Sequence, residues 1–415
     1  MESVLSASKA SLISSLDFAG PGGVADYVTS RQSIQVFPAG SNIYSANGVK
    51  QMRFSLGTQG AFVDMSSLAL QCQVNNESTT AGLTFLGPSV GVCIQEARVY
   101  MGNVETERVS FLGRTESLLS RFIPFEKRVE QYDLGFGYSS GTFAGNDMVA
   151  AAIPANGSKQ VIWRPTALGI CNQKNMIPSW ALSGGGVVIE LLLVNTSAEV
   201  CDSTGSTSWN LSDAKLLVDV VNCDSSFVTS MSKHLLGNGT LTLAPKLYST
   251  TMFSCSSPSL TLQHVRAYTR LNSAFVTFFK SEGNTKKVCN TFYLSPQGQN
   301  ISIQCQIGEK QTPDNRTDNL AQHYYRLLSA VGLAHSTSTW NITRAGYSTD
   351  SFISATDFES VPEAHGSGIS THNAPMVFDI QGIGATSADL PTTCFVLAFH
   401  ESLIEISQDG VQVAI

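Results

Sequence analysis

Ser67-Leu-Ala-Leu-Gln-Cys-Gln-Val74 sets large apolar residues against small or polar ones without a slip: Leu68, Leu70, Cys72 and Val74 share one parity, Ser67, Ala69, Gln71 and Gln73 the other. Successive strand side chains point to opposite faces, so this is a strand with one face buried. Ile301-Ser-Ile-Gln-Cys-Gln-Ile307 repeats the device in the other half of the chain. Four further segments, Val187 to Val194, Leu216 to Val221, Ala274 to Phe279 and Phe395 to Phe399, are apolar on both parities and too short for most helices, which suits strands buried between layers. Clusters of Gly, Asn, Ser and Pro separate them. Helical patterns do not alternate with the strands, so the reading is all-β: two successive antiparallel β-sandwiches meeting near Asn222 to Asn238, with long loops.

Each half is interrupted once by a helical pattern. Asp318 to Val331 puts Leu320, Tyr324, Leu327, Leu328 and Val331 on one stripe, with Thr317 or Asp318 to cap its start and Gly332 to end it. In the first half Asn103 is the expected cap of a helix carrying Val104, Phe111, Leu118 and Phe122 and stopping before Pro124, with Gly113 as a weak point inside it.

The chain has 415 residues, natural for two domains. Only 14% are charged, against 42% hydrophobic, a composition better suited to surfaces covered by neighbours than to a solvated monomer. A net charge of −7 without any Lys/Arg cluster argues against wrapping nucleic acid, which requires bases to displace counterions. The longest apolar run, Val187 to Val194, carries Glu190 and is far short of the roughly 20 residues of a membrane span. Nine scattered cysteines without CxxC spacing read as free thiols of a reducing compartment. Met1 to Gly23 lacks the basic start, continuous apolar core and cleavage site of a secretion signal. Sequons such as those at Asn156, Asn238 and Asn341 are therefore read as chance products of a Ser/Thr-rich chain.

No catalytic constellation emerges. HExxH, GxSxG and P-loop patterns are absent. His365-Gly-Ser-Gly368 reads as a flexible loop, and Ser183-Gly-Gly-Gly186 as a turn, since a strand rather than a helix follows it. The seven histidines lack ligand spacing, and His323 on the second helix reads as a packed or surface side chain. Asp357 and Glu359 form a carboxylate pair on an extended stretch, which by itself defines no site. Catalytic, cofactor and metal residues are accordingly assigned to none, and no enzyme is expected.

Ala61-Phe-Val-Asp-Met-Ser-Ser-Leu-Ala-Leu70 resembles the early strand of double jelly-roll major capsid proteins. Trp209-Asn-Leu-Ser-Asp-Ala-Lys-Leu-Leu-Val-Asp-Val-Val-Asn-Cys-Asp224 is similar to the strand and acidic turn that close their first jelly roll. Ala267 to Phe278, Gln304 to Pro313, the helix at Asp318, Ser351 to Glu359 and Ser367 to Thr371 continue the likeness in order. That order most resembles capsid proteins of polinton-like viruses, with adintoviruses and virophages as relatives. The resemblance implies a double jelly roll with one short helix inserted in each roll: arm 1–30, first roll 31–228, linker 229–237 and second roll 238–415. It further implies a homotrimer whose six rolls form a pseudo-hexameric capsomer tiling an icosahedral shell around a DNA genome. Neighbouring capsomers and penton and minor or cement proteins are the implied partners, and the virion, assembled inside the host cell, the implied location.

Two matters stay open at this level. In the first thirty residues Leu5, Leu12, Ile13 and Leu16 make a short stripe, cut from the body by Gly20-Pro-Gly-Gly23. The segment reads as a frayed tail, as a helix locking onto an adjacent subunit or minor protein, or as a contact with an internal membrane. The alternative function is a tandem jelly-roll carbohydrate- or receptor-binding fibre or lectin protein, which needs exposed aromatics. Trp163, Trp180, Trp209 and Trp340 are the candidates, although Trp163 and Trp209 adjoin strands and should pack; a β-sandwich hydrolase lacks its constellation. The Gly135 to Ala155 stretch, rich in Gly and Ala, is expected to be a tolerant loop.

Overall fold

The computed structural model describes residues 27–57, 60–143, 147–182, 185–202, 204–280, 300–331, 342, 344–348, 351–359, 367–384 and 389–414. The arm before residue 27, the cap residue Gly332, Trp340, Cys289, His335 and His365 lie outside them.

Eight main strands form the first sandwich, and the two-residue strands Ile43–Tyr44 and Ile177–Pro178 add to its first sheet: β1 (Val28–Val36), β2 (Gln51–Leu56), β3 (Phe62–Asn76), β4 (Ile94–Met101), β5 (Val104–Ser110), β6 (Ser158–Trp163), β7 (Val187–Leu193) and β8 (Trp209–Cys223). One sheet runs β1-β8-β3-β6 and the other β2-β7-β4-β5, all antiparallel. First therefore pairs with eighth, second with seventh, third with sixth and fourth with fifth. A hairpin folded over on itself gives this nested order, and it defines a jelly roll.

The second sandwich repeats it: β9 (Lys246–Ser254), β10 (Ser259–His264), β11 (Arg270–Phe279), β12 (Ser302–Ile307), β13 (Lys310–Thr317), β14 (Ile353–Asp357), β15 (Met376–Gln381) and β16 (Thr393–Glu401). Its sheets run β9-β16-β11-β14 and β10-β15-β12-β13. The chain is thus a double jelly roll. The diagnostic strand behaves as its pattern requires, since Leu68, Leu70, Cys72 and Val74 are buried and the residues between them half-buried. In β12 the same parity buries Ile303, Cys305 and Ile307.

Helices occupy the connection between the fifth and sixth strands of each roll. In the second roll α4 (Leu320–Ala330) buries Leu320, His323 and Leu327. Its cap is Asn319 rather than Thr317 or Asp318, the Asn319 side chain accepting a hydrogen bond from the Gln322 N–H. The first roll departs from the expected single helix capped by Asn103. Gly102 and Asn103 have φ of 55° and 67°, which makes them the tight turn of a β4–β5 hairpin, and Val104 opens β5. Two helices follow instead, α1 (Leu112–Ser120) and α2 (Phe125–Leu134), parted at the bend before Pro124.

The Gly135 to Ala155 stretch is less free than expected. A Cβ on Gly135 would stand 2.1 Å from the Pro88 carbonyl oxygen. Phe136 is fully buried and stacks on Phe85 with centroids 4.2 Å apart. Beyond them Tyr138–Phe143 and Asp147–Ala150 pair as a hairpin.

Between the rolls runs α3 (Ser225–Leu236), over most of the segment read as linker 229–237. Leu241–Leu243 then pairs with the C-terminal hairpin, Leu403–Ser407 and Gly410–Ala414. Leu243, Ile404, Ile406 and Val411 of this small sheet join the hydrophobic core of the first roll. The chain therefore ends strapped across the roll it built first.

Candidate functional site

For a chain with no assigned catalytic residue, the informative geometry is where one roll meets the other. Helix α1 carries two apolar faces. Leu112 and Gly113 face the first roll, where a Cβ on Gly113 would stand 3.0 Å from the Val92 backbone. Leu118 belongs to the hydrophobic core of the second roll.

The contact falls on the outer face of the β9-β16-β11-β14 sheet. Phe111 meets Phe395 edge-on at 5.6 Å and Phe122 meets Phe275 at 5.5 Å. The Arg114 guanidinium lies over Phe279 at 4.2 Å and Phe395 at 4.8 Å, cation–π geometry at a desolvated site. Thr115 Oγ1 and Thr250 Oγ1 are 3.1 Å apart, and Arg121 Nη1 donates to Ser351 Oγ at 3.4 Å. Phe111 sits at φ 53°, a left-handed conformation costing a bulky residue about 1–3 kcal/mol, which its seat on Phe395 offsets. β5 lies alongside β9, so an edge strand of each roll enters the seam.

Two carboxylates, Glu107 buried and Glu116 half-buried, hold the segment that completes it. Glu107 accepts from the Gly169 and Ile170 N–H groups at 2.6 and 3.1 Å. Glu116 on α1 accepts from the Ala167 N–H, Thr166 Oγ1 and Trp163 Nε1. Loss of water pushes the Glu107 carboxyl up to about 7 against the pull of those donors, and raises Glu116 too. Burial, then the two carboxylates, drives the Tyr248 hydroxyl across the seam up to about 12. Neither Glu stands in a recognisable sequence motif. The available signal was parity, since Glu107 is in phase with buried Val109 on β5.

The remaining sequence candidates are dispersed. His323 is buried, Nε2 3.3 Å from the Ile301 carbonyl oxygen and Nδ1 3.1 Å from Ser354 Oγ, and so is a packed residue. His264 and His400 flank Tyr268 inside the second roll. Asp357 Oδ1 accepts from the Glu359 N–H at 2.9 Å, and burial, seconded by the Glu359 charge, raises its carboxyl. This is a capped turn. Ser367 is buried, and a Cβ on Gly368 would stand 2.8 Å from the Leu271 carbonyl oxygen. Among the described residues eight cysteines form no disulfide, and no three His, Cys, Asp or Glu gather as metal ligands. Trp163 and Trp209 are buried in the first core and offer no platform for a sugar; Trp180 packs edge-on against Phe62. No helix among the described residues is long and apolar enough to cross a membrane.

Two side-by-side jelly rolls of identical strand order define the class: double jelly-roll proteins. No family model and no curated protein matches the sequence. Solved structures do match. VP54 of PBCV-1, fitted into a cryo-EM reconstruction of the virophage Sputnik, superposes with a TM-score of 0.64 at 12% identity, over 94% of this chain and 98% of that one. The Faustovirus major capsid protein gives 0.62 at 7% identity over 95% and 96%, and the Sputnik virophage structure 0.59 at 10% over 94% and 89%. The fold is therefore that of the double jelly-roll capsid proteins expected above, virophages among them.

Proposed function

We propose that the chain is the major capsid protein of an icosahedral DNA virus of the polinton-like and virophage kind, a building block of the virion shell rather than an enzyme. Three copies associate so that six rolls form one pseudo-hexameric capsomer. The observation that carries this reading is the seam: two rolls of one topology joined through unlike surfaces, the helix side of one on the sheet face of the other. Such a heterologous contact, repeated with a rotation that closes, makes a ring. The sparse charge of the chain supports it, because walls covered by neighbours need few charges and gain about 25 cal/mol per Å² of apolar surface removed from water.

Contacts between capsomers are weak one at a time and stable in number. The first roll is read as 31–228 and the second as 238–415, with 1–30 as a frayed tail or as an arm reaching a neighbouring subunit, a minor protein or an internal membrane. Penton and cement proteins complete the shell. The test is hydrodynamic and microscopic. The purified chain is expected to elute at three times its own mass, to show a pseudo-hexagonal outline and to dominate particles by mass; a stable monomer at assembly concentrations overturns the proposal. Deleting Met1 to Gly23 tests the arm, and normal shells from the deletion overturn the locking role.

A further inference from the structure

Two of the cysteines stand together. The register of β9 on β16 sets Phe253 opposite Cys394 and Ser254 opposite Thr393. The ladder runs one residue further, the Cys255 N–H donating to the Thr392 carbonyl oxygen at 2.9 Å. Cys255 is therefore the diagonal neighbour of Cys394, and because strand residues two apart share a face, both side chains point the same way. That face is the inner one. Cys394 is buried in the core of the second roll, and Cys255, half-buried, packs on the same core. The two thiols hydrogen-bond, Cys394 donating to the Cys255 sulfur.

The pair is asymmetric in the way that thiol–disulfide exchange requires. The hydrogen bond from Cys394 lowers the Cys255 thiol below its ordinary value, against the opposing effect of partial burial. Burial, then the hydrogen bond and the charge of Cys255, raises the Cys394 thiol. Burial pushes Cys72 up to about 12 and raises Cys171, Cys223 and Cys305 as well, which leaves those four with little thiolate to react. A half-buried thiol that ionises readily at a strand end, with a second thiol touching it, is the arrangement of an attacking and a resolving cysteine.

We propose that Cys255 and Cys394 are an oxidation site, joined by a disulfide bond when the chain meets a small-molecule disulfide such as oxidised glutathione. The Cys255 thiol gives its proton to solvent, and its sulfur attacks one sulfur of the small disulfide, breaking that bond and releasing one small thiolate. Cys394 then gives up its proton, and its sulfur attacks Cys255, breaking the mixed disulfide and releasing the second small thiolate. Two protein thiols are oxidised, one small disulfide is reduced, and the two protons end on the departing thiols. The sulfurs come from hydrogen-bond contact to about 2.05 Å, a movement made by Cys255, which follows the last residue of β9. The bond ties the first strand of the second roll to its last. It closes most of that roll into one covalent loop and so removes freedom from the unfolded chain. Phe395, on the outer face of the same strand as Cys394, carries the seam with Phe111, so the clasp lies directly beneath the contact between rolls. The bond itself is independent of the capsid reading. Only its timing rests on that reading: reduced while shells assemble inside the cell, bonded in the released particle.

Peptide mapping of the full chain tests the assignment. The protein is incubated with oxidised glutathione, its remaining thiols are alkylated, and it is digested without reductant. The expected result is a linked pair of peptides containing Cys255 and Cys394, with alkylation retained at Cys72 and Cys305. Oxidation should raise the melting temperature by about 5–10 °C, and dithiothreitol should reverse the rise. Cys255→Ser should lose the rise and take up no glutathione at Cys394. Cys394→Ser should instead accumulate the mixed disulfide at Cys255, because nothing then resolves it. Where the Cys394→Ser chain does not fold, the wild-type map and Cys255→Ser decide alone. Full alkylation of Cys255 and Cys394 after oxidation, a lasting glutathione adduct on wild-type Cys255, or a bond from either residue to another cysteine overturns the proposal. None of these readouts needs assembled particles, so the capsid reading survives that failure, and a chain that forms the bond but never trimerises overturns the capsid reading alone.

Discussion

Gly169 approaches the main chain at Lys246 so closely that a Cβ on it would stand 1.9 Å from the Lys246 carbonyl oxygen. The first residue belongs to the loop after β6, the second opens β9, and between them they set how near the two rolls come. Gly169→Ala should therefore separate backbone from backbone, with no flexible side chain able to give way. A cost of about 2–4 kcal/mol is expected, at the upper end for overpacking because main chain must move. Thermal denaturation reads it directly, and an alanine variant melting within about 2 °C of wild type would show that the seam is not close-packed there.

Glu107 makes the same seam sensitive to pH. Its carboxyl is raised to about 7 in the fold and returns to an ordinary value near 4.5 on unfolding. Between those values the folded state holds a proton that the unfolded state has lost, so this group's contribution is complete below about pH 4.5 and fades as pH rises through 7. The groups facing it are the Gly169 and Ile170 amides, the buried Cys171 thiol and the Tyr248 hydroxyl. Glu107→Gln should lower stability at every pH, because its amide cannot accept from both N–H groups. It should also remove a slope worth on the order of 1–3 kcal/mol across that window. The check is the melting difference between variant and wild type, expected to shrink from pH 5 to pH 7.5; a constant difference refutes the titration.

What the sequence reveals depends on which physical signal it carries. Strands such as β3 and β12 are legible because one face meets a core and the other does not, so parity survives in the residues. Helix α4 is legible for the same reason at its own period. The β4–β5 hairpin reads as a helix start because Val104, Phe111, Leu118 and Phe122 stand at helix-compatible intervals of seven, seven and four by coincidence, across a strand, a left-handed corner at Phe111 and a helix. The signal that decides it was local, a Gly-Asn pair suited to a two-residue turn. Helix α3 was equally visible, with Phe227, Val228, Met231 and Leu235 at helical spacing and Gly237 to stop it. The seam was not legible at all. Phe275 and Phe395 read as core residues of their own roll, and nothing in a linear pattern distinguishes a face covered by the same sheet pair from one covered by another roll.

The strand placement itself can be broken. Leu191 in β7 and Val218 in β8 are each 1% exposed in the first core. Leu191→Asp or Val218→Asp would bury an unpaired carboxylate or force it neutral, at several kcal/mol either way. Each should abolish the soluble folded chain and, with it, any trimer. Gel filtration and circular dichroism check this, and wild-type assembly by both variants would contradict the burial of these strands.

The second roll should fail first in acid. Burial holds His264 and His323 down at about 4 and His400 at about 3, the Arg266 charge lowering both His264 and His400 further. Their ordinary value is near 6.5, so between 6.5 and 4 the unfolded chain binds protons that the fold refuses. Stability from these groups is then intact above pH 6.5 and lost as pH falls through 4. At His323 the neutral ring is matched to its site, Nε2–H donating to the Ile301 carbonyl and Nδ1 accepting from the Ser354 hydroxyl. A proton added at Nδ1 reverses that second bond on a buried ring. His323→Gln keeps a donor and an acceptor but cannot charge, so it should lose some stability at pH 7 and remove about a third of the decline between pH 6.5 and 4, one of three such rings. Hydrogen exchange followed with falling pH should show β11, β12 and β14 opening before β3 and β8. An acid transition that begins in the first roll, or a slope unchanged by His323→Gln, would place the acid-sensitive element elsewhere.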